Sequence, residues 1–252
     1  MEIEIILGGF ILGIIAGGLS AAFGIGGAML IIPALRIFFG LTGHEAIATT
    51  IPLTIPTTLT GAITFHMKGL VKVKTALIAG SVGIGFSIVG AYMTGLFHGS
   101  VLMWGLVGLF FFLAIITWKK VEEQPKKQTK KAKALRSASI GAVGGFLNGF
   151  FGIGGGAIVV PLLMKIRGLS IKVAVPTSLA IIVIYSTSST IAHFAIGNIV
   201  MDVLMPVMVG AVIGVLLMSE KISEINEDTR KKAFVVFMVL MGISIAVKEI
   251  VG

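Results

Sequence analysis

The sequence predicts an all-α polytopic membrane protein of two inverted repeats, each a broken-helix hairpin plus three transmembrane helices. Three observations carry this. Of the 252 residues, 56% are hydrophobic and 12% charged, with a mean hydropathy of +1.06; a soluble domain carries about 25% charged residues. The apolar residues gather into runs of about 18 or more, the length at which a helix crosses a bilayer. Finally, Phe23-Gly24-Ile25-Gly26-Gly27-Ala28, running on to Pro33, returns 128 positions later as Phe151-Gly152-Ile153-Gly154-Gly155-Gly156, running on to Pro161.

The first apolar run, 5–22, contains Gly8, Gly9, Gly13, Gly17 and Gly18. Small residues at this density let helices approach closely inside a bilayer. The acidic N-terminus lacks the positive region of a cleaved signal peptide, so this run reads as a retained span. Glycines then break a helix that apolar residues alone would continue. The chain restarts over 28–39, which is only about 18 Å of helix, too short to cross a core of about 30 Å. Residues 5–39 therefore read as a hairpin of broken helices, its break kept away from lipid.

The next span, 46–65, holds Pro52, Pro56 and the hydroxyls of Thr49, Thr50, Thr54, Thr57, Thr58 and Thr60. Spans at 75–97 and 101–118 follow, with Trp118 suited to the interface. After a basic linker the order repeats: 137–151, a glycine break, 157–164, then spans at 173–196, 203–218 and 233–247. The same offset relates Gly13 to Gly141, Gly17 to Gly145, Gly40-Leu41 to Gly168-Leu169, Ala46 to Ala174, Thr49 to Thr177 and Gly69 to Gly197. The domain reading is repeat 1 at 1–118, linker at 119–136 and repeat 2 at 137–252.

Charge sets the expected orientation. The formal net charge is +9, yet eight of the 20 basic residues crowd into 119–136. That is the signature of a solvated cytoplasmic loop suited to anionic lipid, and no nucleic-acid partner is expected. Let each hairpin return to the side it entered from. The basic loops around 68–74, 119–136, 165–172 and 221–232 then share one side, and both termini fall outside. Three full spans per repeat make the second repeat upside down relative to the first, a plan used by secondary transporters.

The chain has no cysteine, which excludes disulfides, thiolate metal sites and cysteine catalysis. All 11 acidic residues lie in loops or at span ends. No carboxylate is placed for a midplane relay, a metal or acid–base catalysis, so neither an enzyme nor a cofactor is expected. An anion suits what remains. A helix start offers unpaired amides and a partial positive charge, here at Gly26, Gly27 and Ala28 and again at Gly154, Gly155 and Gly156, where little side chain intervenes. Ser20 and Asn148 lie one turn before the glycines at matched positions. Thr49, Thr50, Thr177 and Ser178 form a second matched set of donors. His66 and His193 end the hydroxyl-rich spans, and histidine is the side-chain type suited to gating or proton-linked roles. Close helix packing competes as an explanation for the glycines, backbone or interhelical bonding for the hydroxyls and Asn148, and simple interfacial placement for the histidines.

With FGIGGAMLIIPAL at 23–35, FGIGGGAIVVPLL at 151–163, and a histidine shortly before glycine at His66…Gly69 and His193…Gly197, the chain resembles the sulfite exporter TauE/SafE family over nearly its whole length. The resemblance implies transport of small sulfur-containing anions such as sulfite or organosulfonates. Ala28 departs from the third glycine that the family often carries and that Gly156 supplies. The expected mechanism is an alternating-access carrier, as a uniporter or with protons carried by the solute itself. An anion channel and a non-transporting scaffold subunit acting through the basic linker are the alternatives.

Overall fold

Helix α1 ends where the glycines begin. In a computed structural model describing residues 2–118, 129–219 and 226–251, the elements are α1 (Glu2–Phe23), α2 (Ala28–Phe38), α3 (Gly43–Met67), α4 (Val73–Thr94), α5 (Gly99–Trp118), α6 (Lys130–Phe151), α7 (Gly156–Arg167), α8 (Ile171–Ile196), α9 (Met201–Ser219) and α10 (Glu227–Val251). Seven of the described helices are long and apolar enough to cross a membrane: α1, α3, α4, α5, α8, α9 and α10. The chain is thus an all-helical, multi-pass membrane protein.

Two elements differ from the sequence reading. Helix α1 has 22 residues, about 33 Å, so the first arm of the hairpin is long enough to cross a membrane by itself. The turn-back still occurs at the glycines, because Gly27 lies against the carbonyl of Ala16. Helix α6 begins at Lys130, so the end of the basic stretch is helical rather than linker. Thr129 starts it by accepting a bond from the Ala132 amide at 3.3 Å, and lysine stems can lie along such a helix while their ammonium groups stay wet. Residues 119–128 of the linker lie outside the described residues.

The packing exchanges partners between the two halves. Helix α1 runs along α9, and α4 runs along α6. Gly13 and Gly17 press on the backbone of Val207 and Ala211. At the 128 offset, Gly141 and Gly145 press on Ala79 and Gly83, and Gly149 on Ser87. These positions recur every four residues, so they form one small-residue stripe per helix, and backbone meets backbone across it. Gly145→Val places a branched side chain into the Gly83 carbonyl, where no rotamer relieves it. The expected result is loss of monodisperse protein in size-exclusion chromatography, whereas Gly108→Val, whose Cβ meets nothing within 4 Å, elutes as wild type.

Helices α3 and α8 pack together, as do α5 and α10, and α3 is the most buried of the seven spans. The start of α3 is fixed by a capping box in which Thr42 and Glu45 satisfy each other's amides. At the end of α2, Arg36 bonds the Leu41 carbonyl at 3.0 Å and pairs with Glu249 on α10.

Candidate functional site

The two glycine breaks touch. Gly156 lies against the Gly24 carbonyl and the Ile25 backbone, and a Cβ on Gly154 would come within 2.6 Å of the Ile25 carbonyl. Phe23 through Ala28 and Phe151 through Ala157 are all buried. Gly24, Gly26 and Gly27 have φ of 71°, 75° and 78°; Gly152, Gly154 and Gly155 have 68°, 72° and 68°. Left-handed backbone at three of four successive residues requires glycine. It turns the chain sharply enough that α2 and α7 start beside the ends of α1 and α6.

Local bonds repeat at the same offset. The amide of Gly24 bonds Ser20 O at 2.8 Å, and that of Gly152 bonds Asn148 O at 2.9 Å. Each break then leans on the start of the opposite half's long helix: Gly24 on Val175 of α8, and Gly152 on Ile47 of α3. The amides of Gly26, Gly27, Gly154 and Gly155 donate to no protein group among the described residues. Helix starts leave amides unpaired, and buried amides are nearly always paired, so these four are the candidate donors for an acceptor from outside the chain.

Three hydroxyls hold the carbonyls of the breaks. Tyr185, fully buried, donates to Gly154 O at 2.9 Å. At the matching position in the other half, Thr57 lies 3.1 Å from Gly26 O and shares its proton with Leu53 O and Thr54 O. Ser178 lies 2.9 Å from Gly24 O and shares with Val175 O. A peptide group is planar and trans, so a held carbonyl aims the next residue's N–H the opposite way. Tyr185 therefore orients the Gly155 amide, Thr57 the Gly27 amide and Ser178 the Ile25 amide. Thr57 and Tyr185 are absent from the donors expected from sequence; the signal was their 128-residue separation, masked because they share nothing but a hydroxyl.

The other candidates divide. Ser20 is fully buried and its hydroxyl has no partner. Asn148, its counterpart, donates to Ser189 at 2.9 Å and accepts from Ser186 at 3.4 Å. Thr49 and Thr177 serve elsewhere: each accepts a bond from the backbone just before a span of the opposite half, Val200 N at 2.9 Å and Lys72 N at 3.1 Å. Thr50 bonds the Ala46 carbonyl of its own helix. Ala28 is buried at the start of α2. His66 is exposed at the end of α3, while His193 is buried and donates from Nε2 to Gly149 O at 2.8 Å, leaving Nδ1 without a partner.

Residues 9–245 match the family described as Sulfite exporter TauE/SafE. Among curated proteins, the chain is 31% identical over 216 residues to the probable membrane transporter protein YunE of Bacillus subtilis, covering 75% of this chain and 78% of that protein. It is 29% identical to the probable membrane transporter protein YdhB of the same organism, over 83% and 86% of the two chains. A probable membrane transporter protein of Methanocaldococcus jannaschii is 27% identical over 73% and 70%. No solved structure matches. With both glycine breaks and nearly every helix inside the matched region, the chain belongs to the sulfite exporter TauE/SafE family of membrane transporters.

Proposed function

We propose that this transporter is an alternating-access carrier for a small sulfur-containing anion, sulfite or an organosulfonate, bound near the membrane midplane where the two glycine breaks meet. One observation carries the reading: four buried glycine amides without a protein acceptor gather at the starts of α2 and α7, where helix dipoles add positive potential. Ser20 adds an unpartnered hydroxyl one turn away. Each helix start contributes about 1–2 kcal/mol toward holding a desolvated anion. The sulfur in the solute comes from the family and not from the site, which offers donors to any small oxyanion.

Exchange of helix partners supports inverted repeats. The contacts run in register, so α1 is parallel to α9 and α4 is parallel to both α6 and α8. Short loops make α8 and α9 antiparallel, which sets α1 against α6. The positive-inside rule then puts the linker in the cytoplasm and both termini outside. Because the breaks are buried, solute entry requires one repeat to rock against the other. The bond from His193 to Gly149 ties α8 to α6 just before the second break, the place for a gating role.

The test is thermal stability of purified protein against sulfite, taurine, thiosulfate, sulfate and acetate, followed by flux in liposomes. A ligand at 100 times its dissociation constant stabilises by about 2.7 kcal/mol, so an anion that occupies the site should raise Tm, and a larger rise with sulfite or a sulfonate than with acetate supports the sulfur-containing solute. No shift with any anion, together with no flux, overturns the site. Flux far above carrier turnover selects a channel; no flux, with a phenotype indifferent to bulky residues at Gly27 and Gly155, selects a scaffold.

A further inference from the structure

A second basic feature lies away from the glycine breaks. A pocket of about 200 Å³ opens between the starts of α4 and α6 and the end of α7, lined by Lys74, Thr75, Lys130, Lys133, Ser137 and Arg167. Four cations meet there, and among the described residues none of them pairs with a carboxylate. Arg167 is built in rather than loose. Its guanidinium bonds Lys133 O at 2.9 Å and Thr75 Oγ1 at 3.1 Å, tying α7 to α6 and α4. Its Nε is buried with no partner. Arg136 reinforces the corner by bonding Ile166 O at 3.3 Å. Like charges held at a fixed spacing repel unless an anion joins them, and a buried guanidinium N–H needs an acceptor.

Position chooses the kind of anion. The pocket lies at the ends of spans, at headgroup depth. Leu77, about one turn deeper than Lys74 on α4, is 55% exposed, and Leu135 on α6 is 73% exposed. An acyl chain thus finds an apolar wall directly beneath the cations. We propose that this pocket binds the phosphate of an anionic lipid headgroup. Phosphate oxygens engage Lys74, Lys130 and Lys133, and the bound lipid steadies the far end of α7, whose first residue stands at the glycine break. This inference does not depend on which solute is carried.

The test is native mass spectrometry and thermal stability of the purified full chain with phosphatidylglycerol, phosphatidylcholine or inorganic phosphate. Wild type should retain phosphatidylglycerol over phosphatidylcholine and gain Tm from it, with no gain from millimolar phosphate. The K74Q/K130Q/K133Q variant leaves Arg167 and its helix ties in place. At about fivefold per lysine near a membrane surface, it should bind phosphatidylglycerol about a hundredfold more weakly. The charge-matched K68Q/K172Q/K248Q control should bind as wild type. Equal retention of both lipids, or equal weakening by both triple variants, overturns the proposal. A Tm gain from inorganic phosphate that competes with the lipid assigns the pocket to free oxyanions and overturns it too.

Discussion

Gly156→Ala is expected to lower the melting temperature of the purified protein sharply and to abolish anion flux, while Ala28→Gly leaves the fold intact. The two positions are equivalent in the repeat, and each already accepts in one half what the other half has. Composition alone therefore predicts that both changes are mild. The contacts say otherwise. A Cβ on Gly156 runs into the Gly24 carbonyl and the Ile25 backbone. Both belong to the opposing break, so relief requires separating the two breaks rather than turning a side chain. Overpacking a close-packed site costs about 1–3 kcal/mol, more when only backbone can move. Ala28→Gly removes one buried methyl and costs about 1 kcal/mol through helix propensity. Differential scanning fluorimetry and flux in the same liposomes give the comparison. Equal Tm losses for the two variants would show that the breaks do not meet as described.

That asymmetry also shows what a sequence can and cannot reveal here. The duplication is legible because left-handed backbone restricts the choice to glycine: Gly24, Gly26, Gly27, Gly40 and Gly69 all have positive φ, and so do their partners 128 positions on. The long spans are legible because lipid demands apolar length. The roles of Thr49 and Thr177 are not. They look like site hydroxyls because they recur at the offset, but what recurs is their hold on the backbone before α9 and α4. A repeat marks positions that do the same job; it does not say whether that job is binding or bracing. The start of α6 is hidden for another reason. Lysines and a capping threonine form the first turns of a helix as readily as a loop, and hydropathy cannot tell the two apart.

Tyr185→Phe is expected to weaken anion binding about tenfold or more, beyond what its effect on stability accounts for. Among the described residues, the phenol is the only side-chain group bonded to the Gly154 carbonyl, and losing a buried partner costs about 1–3 kcal/mol. Glycines on either side of that peptide rotate easily, so its plane leans on the phenol's hydrogen bond. Once the carbonyl is released, the Gly155 amide loses its aim, and an anion must supply the ordering itself. The loss should therefore appear as a higher dissociation constant in anion titrations of Tm, not only as a lower starting Tm. Thr57 supplies the matched control in the other break. Thr57→Ser keeps the hydroxyl and should bind nearly as wild type; Thr57→Val should follow Tyr185→Phe, though less strongly, because Thr57 already shares its proton among three carbonyls. If Tyr185→Phe lowers Tm but leaves the dissociation constant unchanged, the phenol only braces the break and the anion does not use the Gly155 amide. The carried solute would then have to be gripped by other groups at the breaks, such as Ser20 and the amides of the first half.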